Sequence, residues 1–190
     1  MISDSPDIER LIQNCRENGE HAFGTSYIFR RRADRLRSWR NILTYVGIAV
    51  PTVLGGMALA SGRIEAFGQL LEPVATTLLL IQLAVNLWAV VVRWNEQYDY
   101  AVESADTNMS IANQYFRLAE EHPADFLSKK QDLDRVDEDR SNKDRRQGLS
   151  RKDERYGMRA MLFHRHRPCA TCGQVPSSMV AGKCDTCGCF

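Results

Sequence analysis

The sequence lacks the signatures of catalysis. It contains no nucleophile motif, phosphate-binding loop or pair of catalytic carboxylates, so the chain is predicted not to be an enzyme. It also lacks an excess of charge, since 25 lysines and arginines oppose 24 aspartates and glutamates, for a net charge of +1. The signs are mixed even in the most charged segment, 129–155, which argues against a nucleic-acid-binding arm there. No internal repeat is present.

Charged residues are also absent from two apolar stretches, 41–62 and 73–92, which ten residues separate. Each has the roughly 20 residues that an α-helix needs to cross about 30 Å of hydrocarbon. The two stretches therefore predict a transmembrane helical hairpin that stays in the mature protein, because no small-residue cleavage site precedes it. Six arginines lie in segment 30–40 directly before the first stretch and Arg93 follows the second, so the positive-inside bias predicts cytoplasmic termini.

The rest of the chain divides around this hairpin. Residues 1–40 predict an N-terminal cytoplasmic helical region, and 93–122 predict a cytoplasmic helix that ends before Pro123. Segment 123–155 is interpreted as a charged linker or a solvated helix, and 156–190 as a zinc-binding module. The predicted fold class is all-α: a two-span transmembrane hairpin with long cytoplasmic helices and a small C-terminal zinc-ribbon-like module.

Both predicted spans carry residues that favour contact with another helix. Small residues follow one another on one face of the first span, where they allow close approach. Gln82 and Asn86 share one side of the second span, and they are interpreted either as interhelical hydrogen-bonding groups or as the lining of a wet pathway. The predicted pore or oligomer interface comprises Gln82, Asn86, Gly47, Pro51, Gly55 and Ala58.

Cysteine is nearly absent until the last 22 residues, which hold five of the six cysteines. Two CxxC pairs, CATC and CDTC, lie there with eleven residues between them. Each pair can present two thiolates to one ion, and four cysteines in tetrahedral arrangement commonly hold a structural Zn²⁺. The predicted ligands are Cys169, Cys172, Cys184 and Cys187, with Cys189 or His166 as alternatives. Four protein ligands leave no open position, so the zinc is predicted to replace a hydrophobic core rather than to catalyse.

A cluster of basic residues precedes and overlaps the start of this module. A short basic patch of this kind is more commonly ordinary surface, and the alternative interpretation is a patch for an anionic partner. Its members are Arg155, Arg159, His164, Arg165, His166 and Arg167.

The order of these parts carries a family resemblance. An arginine-rich helix, a two-span hairpin and a long inner helix precede RYGMRAMLFHRHRPCATCG, with the second CxxC eleven residues later. The chain thereby resembles the SLATT family of bacterial two-transmembrane effectors, in the subgroup with a C-terminal CxxC-x11-CxxC module. The resemblance implies a pore-forming or membrane-disrupting effector of an anti-phage or other conflict system.

On that basis the chain is expected to be a multi-pass protein of the bacterial inner membrane. It would oligomerise and permeabilise the membrane when a partner enzyme or its product triggers it. The alternative is a membrane-tethered zinc-ribbon module that docks nucleic acid or a partner protein without forming a pore. The expected partners are membrane lipid, further copies of the chain, a co-encoded nucleotide-signal synthase or reverse transcriptase, and a nucleic acid or nucleotide ligand.

Overall fold

The protein is helical in a computed structural model that describes residues 6–61, 65–91 and 93–190. The side chains of 6–7, 57–61, 65–72 and 89–91 lie outside this description. Its helices are α1 (Pro6–Ser61), α2 (Glu65–Val91), α3 (Trp94–Glu121), α4 (Phe126–Arg145) and α5 (Arg151–His164). The described residues contain no strand, which agrees with the all-α part of the predicted fold class.

The predicted transmembrane hairpin is wrong. Across the described ranges, no helix combines the length and the apolar content that a membrane crossing requires. Stretches 41–62 and 73–92 fall largely within α1 and α2, and residues 62 and 92 lie outside the described residues. The predicted multi-pass inner-membrane location with cytoplasmic termini is wrong for the same reason.

The chain divides into two compact units. The first unit comprises Met1–Arg32 and Tyr100–Phe190, and the second unit comprises Ala33–Asp99. Two of the helices, α1 and α3, contribute residues to both units. The predicted boundary at residue 40 falls within α1, which continues through it as helix.

A hydrophobic core joins α1, α3 and α4 in the first unit. Cys15 and Ala22 on one face of α1 pack with Ile111 and Tyr115 of α3 and with Leu133 of α4. These side chains are at most 7% exposed. Their removal from water supplies the main non-directional force that holds the three helices together.

The fifth helix approaches α1 through a pair of glycines. A Cβ atom added to Gly157 would lie 2.8 Å from the carbonyl oxygen of Gly24, and one added to Gly24 would lie 3.0 Å from that of Gly157. A capping box fixes the start of α5, since Ser150 and Asp153 each accept a hydrogen bond from the other's backbone amide. Both features position the helix that leads into the cysteine pairs.

Segment 123–155, for which a charged linker or solvated helix is predicted, contains α4 and the first turn of α5. Asp144 near the end of α4 is only 2% exposed. It accepts hydrogen bonds of 2.7 Å each from Tyr100, Ser104 and Asn108 of α3. This group of side chains, together with Arg140, is called the Asp144 network below.

The guanidinium of Arg140 completes the Asp144 network. Its Nε atom lies 3.3 Å from the Asp144 carboxylate, and its Nη1 atom donates to Glu103 at 2.8 Å. The Arg140 side chain is 6% exposed, whereas that of Glu103 is 69% exposed. The opposite charges of Asp144 and Glu103 compensate for part of the hydration that Arg140 loses, although its Nε and Nη2 atoms are buried and have no hydrogen-bond partner among the described residues.

A second polar group, the Asp134 cluster, joins α3 to α4. The Tyr115 hydroxyl donates to Asp134 at 2.8 Å and lies 3.3 Å from Oδ2 of Asp137, while Lys130 pairs with Asp134 at 2.6 Å. Burial is the main cause that raises the pKa of the Asp137 carboxyl. Its Oδ1 atom is buried and has no hydrogen-bond partner among the described residues.

Candidate metal centre

Each CxxC pair folds into a tight knuckle. The amide of Gly173 donates to the carbonyl oxygen of Cys169, and the amide of Gly188 donates to that of Cys184, at 2.8 Å in both cases. Gly173 has a φ of +68°. A Cβ atom added to Gly188 would lie 2.4 Å from the carbonyl oxygen of Gly182. Glycine directly after the second cysteine therefore allows both knuckles to close.

The two knuckles face each other through equivalent positions, 15 residues apart in sequence. The Sγ atoms of Cys169 and Cys184 are 3.9 Å apart, and those of Cys172 and Cys187 are also 3.9 Å apart. The Thr171 hydroxyl lies 2.6 Å from that of Thr186. The pairing of first with first and second with second cysteine gives the site an approximate two-fold arrangement.

All four sulfurs lie within 4.8 Å of one another. A tetrahedral ion bound at about 2.3 Å to each thiolate places neighbouring sulfurs about 3.8 Å apart. The geometry of the predicted ligands Cys169, Cys172, Cys184 and Cys187 therefore fits one four-coordinate metal ion.

The thiols differ in acidity because their surroundings differ. Amides of Cys187 and Thr186 lower the pKa of Cys184 to about 7. Burial raises the pKa of Cys169, but donation from the amides of Cys172 and Thr171 outweighs burial, so that pKa is lowered. Burial, followed by hydrogen bonds with the neighbouring thiols, raises the pKa of Cys187 to about 12. A metal ion must therefore displace at least the proton of Cys187 when it binds.

The alternative ligands lie outside this group of four sulfurs. Cys189 is exposed, and its Sγ atom donates to the carbonyl oxygen of Gly182 at 3.4 Å. His166 is exposed and has a φ of +51° at the end of α5. The structure brings together the four cysteines of the two CxxC pairs, without these two residues.

One family of proteins is named for two CxxC pairs with eleven residues between them. The family described as mobilome CxxCx(11)CxxC protein matches residues 12–190. The chain belongs to this family. No curated protein and no solved structure matches the chain. The match extends from α1 through residue 190, so it covers helical segments as well as the two CxxC pairs.

In this family member a helix cap leads from α5 into the first knuckle. The amide of His166 bonds to the carbonyl of Phe163 at 3.4 Å, and the amide of Arg167 bonds to that of Leu162 at 3.0 Å. With His166 in the left-handed region, these bonds form a Schellman motif. Leu162 also packs with Cys169 in a small hydrophobic cluster. The cap thus fixes the direction in which the chain leaves α5.

Arginines of α5 hold the C-terminal tail, residues 165–190, against that helix. Arg159 donates to the carbonyl oxygens of Ser178 at 2.8 Å and of Cys187 at 3.0 Å. Arg155 donates to the carbonyl of Cys189 at 3.3 Å. Two members of the predicted anionic-partner patch therefore bind the tail's own backbone.

The other members of that patch lie at the C-terminal end of α5. The His164 ring lies 4.8 Å from that of Tyr27. The Arg165 guanidinium lies 4.1 Å from the centre of the Phe116 ring. Arg167 pairs with Glu20 of α1 at 2.6 Å, while His166 occupies the cap. The predicted patch therefore separates: Arg155 and Arg159 contact the tail backbone, whereas His164, Arg165 and Arg167 contact α1 or α3.

The predicted pore or oligomer interface lies in the second unit. Nε2 of Gln82 donates to the carbonyl oxygen of Gly47 at 3.2 Å, which joins α2 to α1. Gly47 and Asn86 line a cavity of about 630 Å³ together with Arg40 and Trp94. These contacts bring three of the six predicted residues together.

The remaining three predicted interface residues lie farther along α1. Pro51 is exposed, and a Cβ atom added to Gly55 would meet nothing within 4 Å. The side chain of Ala58 lies outside the described residues. No role in an interface is tested for any member of the set, and the set stays a prediction.

Sequence reasoning missed the Asp144 network. A signal for it exists in α3, where Tyr100, Ser104 and Asn108 recur at four-residue steps and so share one helix face. A polar stripe on a helix is usually solvated, however, and only the position of Asp144 turns this one inward. Sequence reasoning also missed Arg16 of α1, which lines a cleft described below, because it is one of many exposed arginines.

Proposed function

We propose that this chain is a non-catalytic binding protein whose C-terminal tail is held in shape by one structural Zn²⁺. The observation that carries the proposal is the group of four cysteine sulfurs within 4.8 Å of one another. Zinc is favoured because a set of four thiolates in tetrahedral arrangement is characteristic of structural zinc sites. The metal would be held by Cys169, Cys172, Cys184 and Cys187.

The closed ligand set supports a structural role. Four protein ligands leave no coordination position for a substrate or an activated water molecule. Cys169 and Cys187 pack with Met161 and Leu162 of α5, so the ion would tie the tail to the helical part of the first unit. The ion would thereby replace a hydrophobic core that a short tail cannot build.

The alternative interpretation of the sequence is a zinc-ribbon module that docks nucleic acid or a partner protein. That docking role does not require a membrane, and it is the role proposed for this chain. The family description places its members in the mobilome, and the SLATT resemblance adds the context of conflict between phages or mobile elements and their hosts. A co-encoded protein, such as a nucleotide-signal synthase or reverse transcriptase, or its product, is the partner that this context favours. Permeabilisation is not part of the proposal because it required the two predicted spans.

Metal content tests the zinc site directly. Purified protein should contain one zinc per chain by elemental mass spectrometry, and Co²⁺ exchanged into it should show thiolate charge-transfer absorption. Cys172→Ser should lose the metal. Cys189→Ser is the matched control, since both thiols are exposed and only Cys172 belongs to the group of four. If Cys172→Ser still contained one zinc per chain, the assignment of Cys172 as a zinc ligand would be contradicted.

Association with the product of the neighbouring gene tests the binding role. Co-purification with that product should be lost in Cys172→Ser and kept in Cys189→Ser. If zinc binds as expected but both variants associate with the partner equally well, the tail is not required for binding.

A further inference from the structure

A cleft in the first unit lies between α1, α3 and the C-terminal end of α5. Its volume is about 420 Å³, and its lining is mostly polar. Arg16 and Glu20 come from α1, Phe116 and Glu120 from α3, and the basic residues from the end of α5 and the cap that follows it. Those basic residues are His164, Arg165 and Arg167. The metal-ligating cysteines are not part of the lining.

Three guanidinium groups face two carboxylates in this cleft, so it carries an excess of positive charge. One carboxylate is already engaged, because Glu20 pairs with Arg167 at 2.6 Å and its side chain is only 11% exposed. Arg16 is exposed and has no hydrogen-bond or ion-pair partner among the described residues. It is thus available to an incoming anion.

Two of the arginines are held in place before any ligand arrives. The Arg165 guanidinium lies over the Phe116 ring at 4.1 Å, which limits the side chain to one region. The Arg167 backbone is fixed by its hydrogen bond to Leu162, and its side chain by Glu20. Since little side-chain freedom remains to be lost, binding costs less entropy at these positions.

We propose that this cleft binds the phosphate group of a small, nucleotide-sized ligand. Guanidinium groups match the geometry of phosphate oxygens, and their fixed forks form charge-assisted hydrogen bonds to them. The volume lies within the range of about 300 to 1,000 Å³ that is typical of small-molecule sites. A net charge of only +1 argues against an extended nucleic acid as the ligand.

The proposal deepens the proposed function and rests on it, because it treats the chain as a binding protein and names the ligand class. It needs no redox or group-transfer step. Glu120 sets its specificity, because Glu20 is already paired with Arg167: the Glu120 carboxylate opposes weakly charged anions, and a ligand with two or more negative charges overcomes it.

Calorimetric titration of the zinc-loaded full chain with pyrophosphate, ATP and AMP tests the proposal. Arg16→Ala should weaken pyrophosphate and ATP binding about tenfold, the loss expected for a charge-assisted hydrogen bond. Glu120→Gln should tighten binding about threefold because it removes a like charge from the lining. Arg10→Ala, also an exposed arginine of α1 but outside the cleft, should leave affinity unchanged.

Three outcomes would overturn the proposal: no saturable binding of any of the three phosphates, equal weakening by Arg16→Ala and Arg10→Ala, or tighter binding of a twelve-nucleotide RNA than of ATP. Zinc content measured on the same samples separates the two claims. If the protein contains zinc but binds none of the phosphates, only the proposed phosphate site is contradicted. If it binds phosphates but contains no zinc, only the metal assignment is contradicted.

Discussion

The C-terminal tail and α4 are both poor in large apolar side chains, yet different chemistry holds each in place. In the tail, four thiols converge within 4.8 Å and could share one ion. In α4, charged side chains turn inward: Asp144 is 2% exposed and Arg140 is 5% exposed. A metal site and a buried polar network are thus two partial substitutes for a hydrophobic core in the same unit, and Leu133 of α4 also joins the apolar core of that unit.

The two substitutes differ in how far apart their partners lie along the chain. Facing thiols in the tail are 15 residues apart. The donors to Asp144 lie 36 to 44 residues before it, on another helix. The tail can therefore assemble almost locally once a metal is present, whereas the Asp144 network needs α3 and α4 to be packed already. This difference predicts that each substitute can be removed without loss of the other.

Metal removal should give the largest effect. A strong chelator should abolish the protection of the Gly173 and Gly188 amides against hydrogen exchange, by more than about a hundredfold, because metal binding supplies most of the folding free energy in small zinc modules. The amides of α4 should keep their protection. Exchange measured by mass spectrometry on peptides from both regions checks this, and simultaneous loss in α4 would contradict the comparison.

Substitution at the centre of the Asp144 network should come next. Asp144→Asn keeps the shape of the side chain but leaves the buried Arg140 charge without its buried partner, so that only the exposed Glu103 carboxylate remains, which should cost about 3 kcal/mol of unfolding free energy. Urea denaturation followed by circular dichroism measures the loss. Zinc content should be unchanged.

The matched control for this variant is Asp139→Asn in the same helix. Its partner Lys143 lies 2.7 Å away, but both side chains are more than half exposed. Exposed pairs of this kind contribute less than about 1 kcal/mol. Equal losses for Asp139→Asn and Asp144→Asn would show that burial is not what makes the network stabilising.

The smallest effect is expected from Asp137→Asn in the Asp134 cluster. Burial raises the folded-state pKa of Asp137 above its ordinary 3.8, so the folded state binds more protons than the unfolded state just above that pH. Stability should therefore fall as the pH rises through that window. The variant removes the titration and should gain less than about 1 kcal/mol at pH 7, since the side chain is partly exposed.

Urea midpoints measured at pH 3.5 and pH 7 test this sign. The two proteins should differ least at pH 3.5, where the carboxyl is mostly protonated in both states. A wild-type protein that gained stability relative to Asp137→Asn as the pH rose would contradict the assignment.

Much of the helical content could be predicted from the sequence, including the end of a helix just before Pro123, since α3 ends at Glu121. The surroundings of the two charge-free stretches could not be predicted, because a run without charge does not identify what lies around it. Placement of α4 could not be predicted either, because Lys130 and Asp144 resemble their solvated neighbours until their partners are known.

The sequence by itself determined the candidate metal centre. Cys169 and Cys172, like Cys184 and Cys187, are neighbours in a turn, so their spacing alone brings two thiols together. Only the tertiary structure decided that Asp144 is buried and that Arg16, Arg165 and Arg167 line one cleft. The reason is distance along the chain: these contacts join residues from separate helices, and no local pattern encodes which helix faces meet.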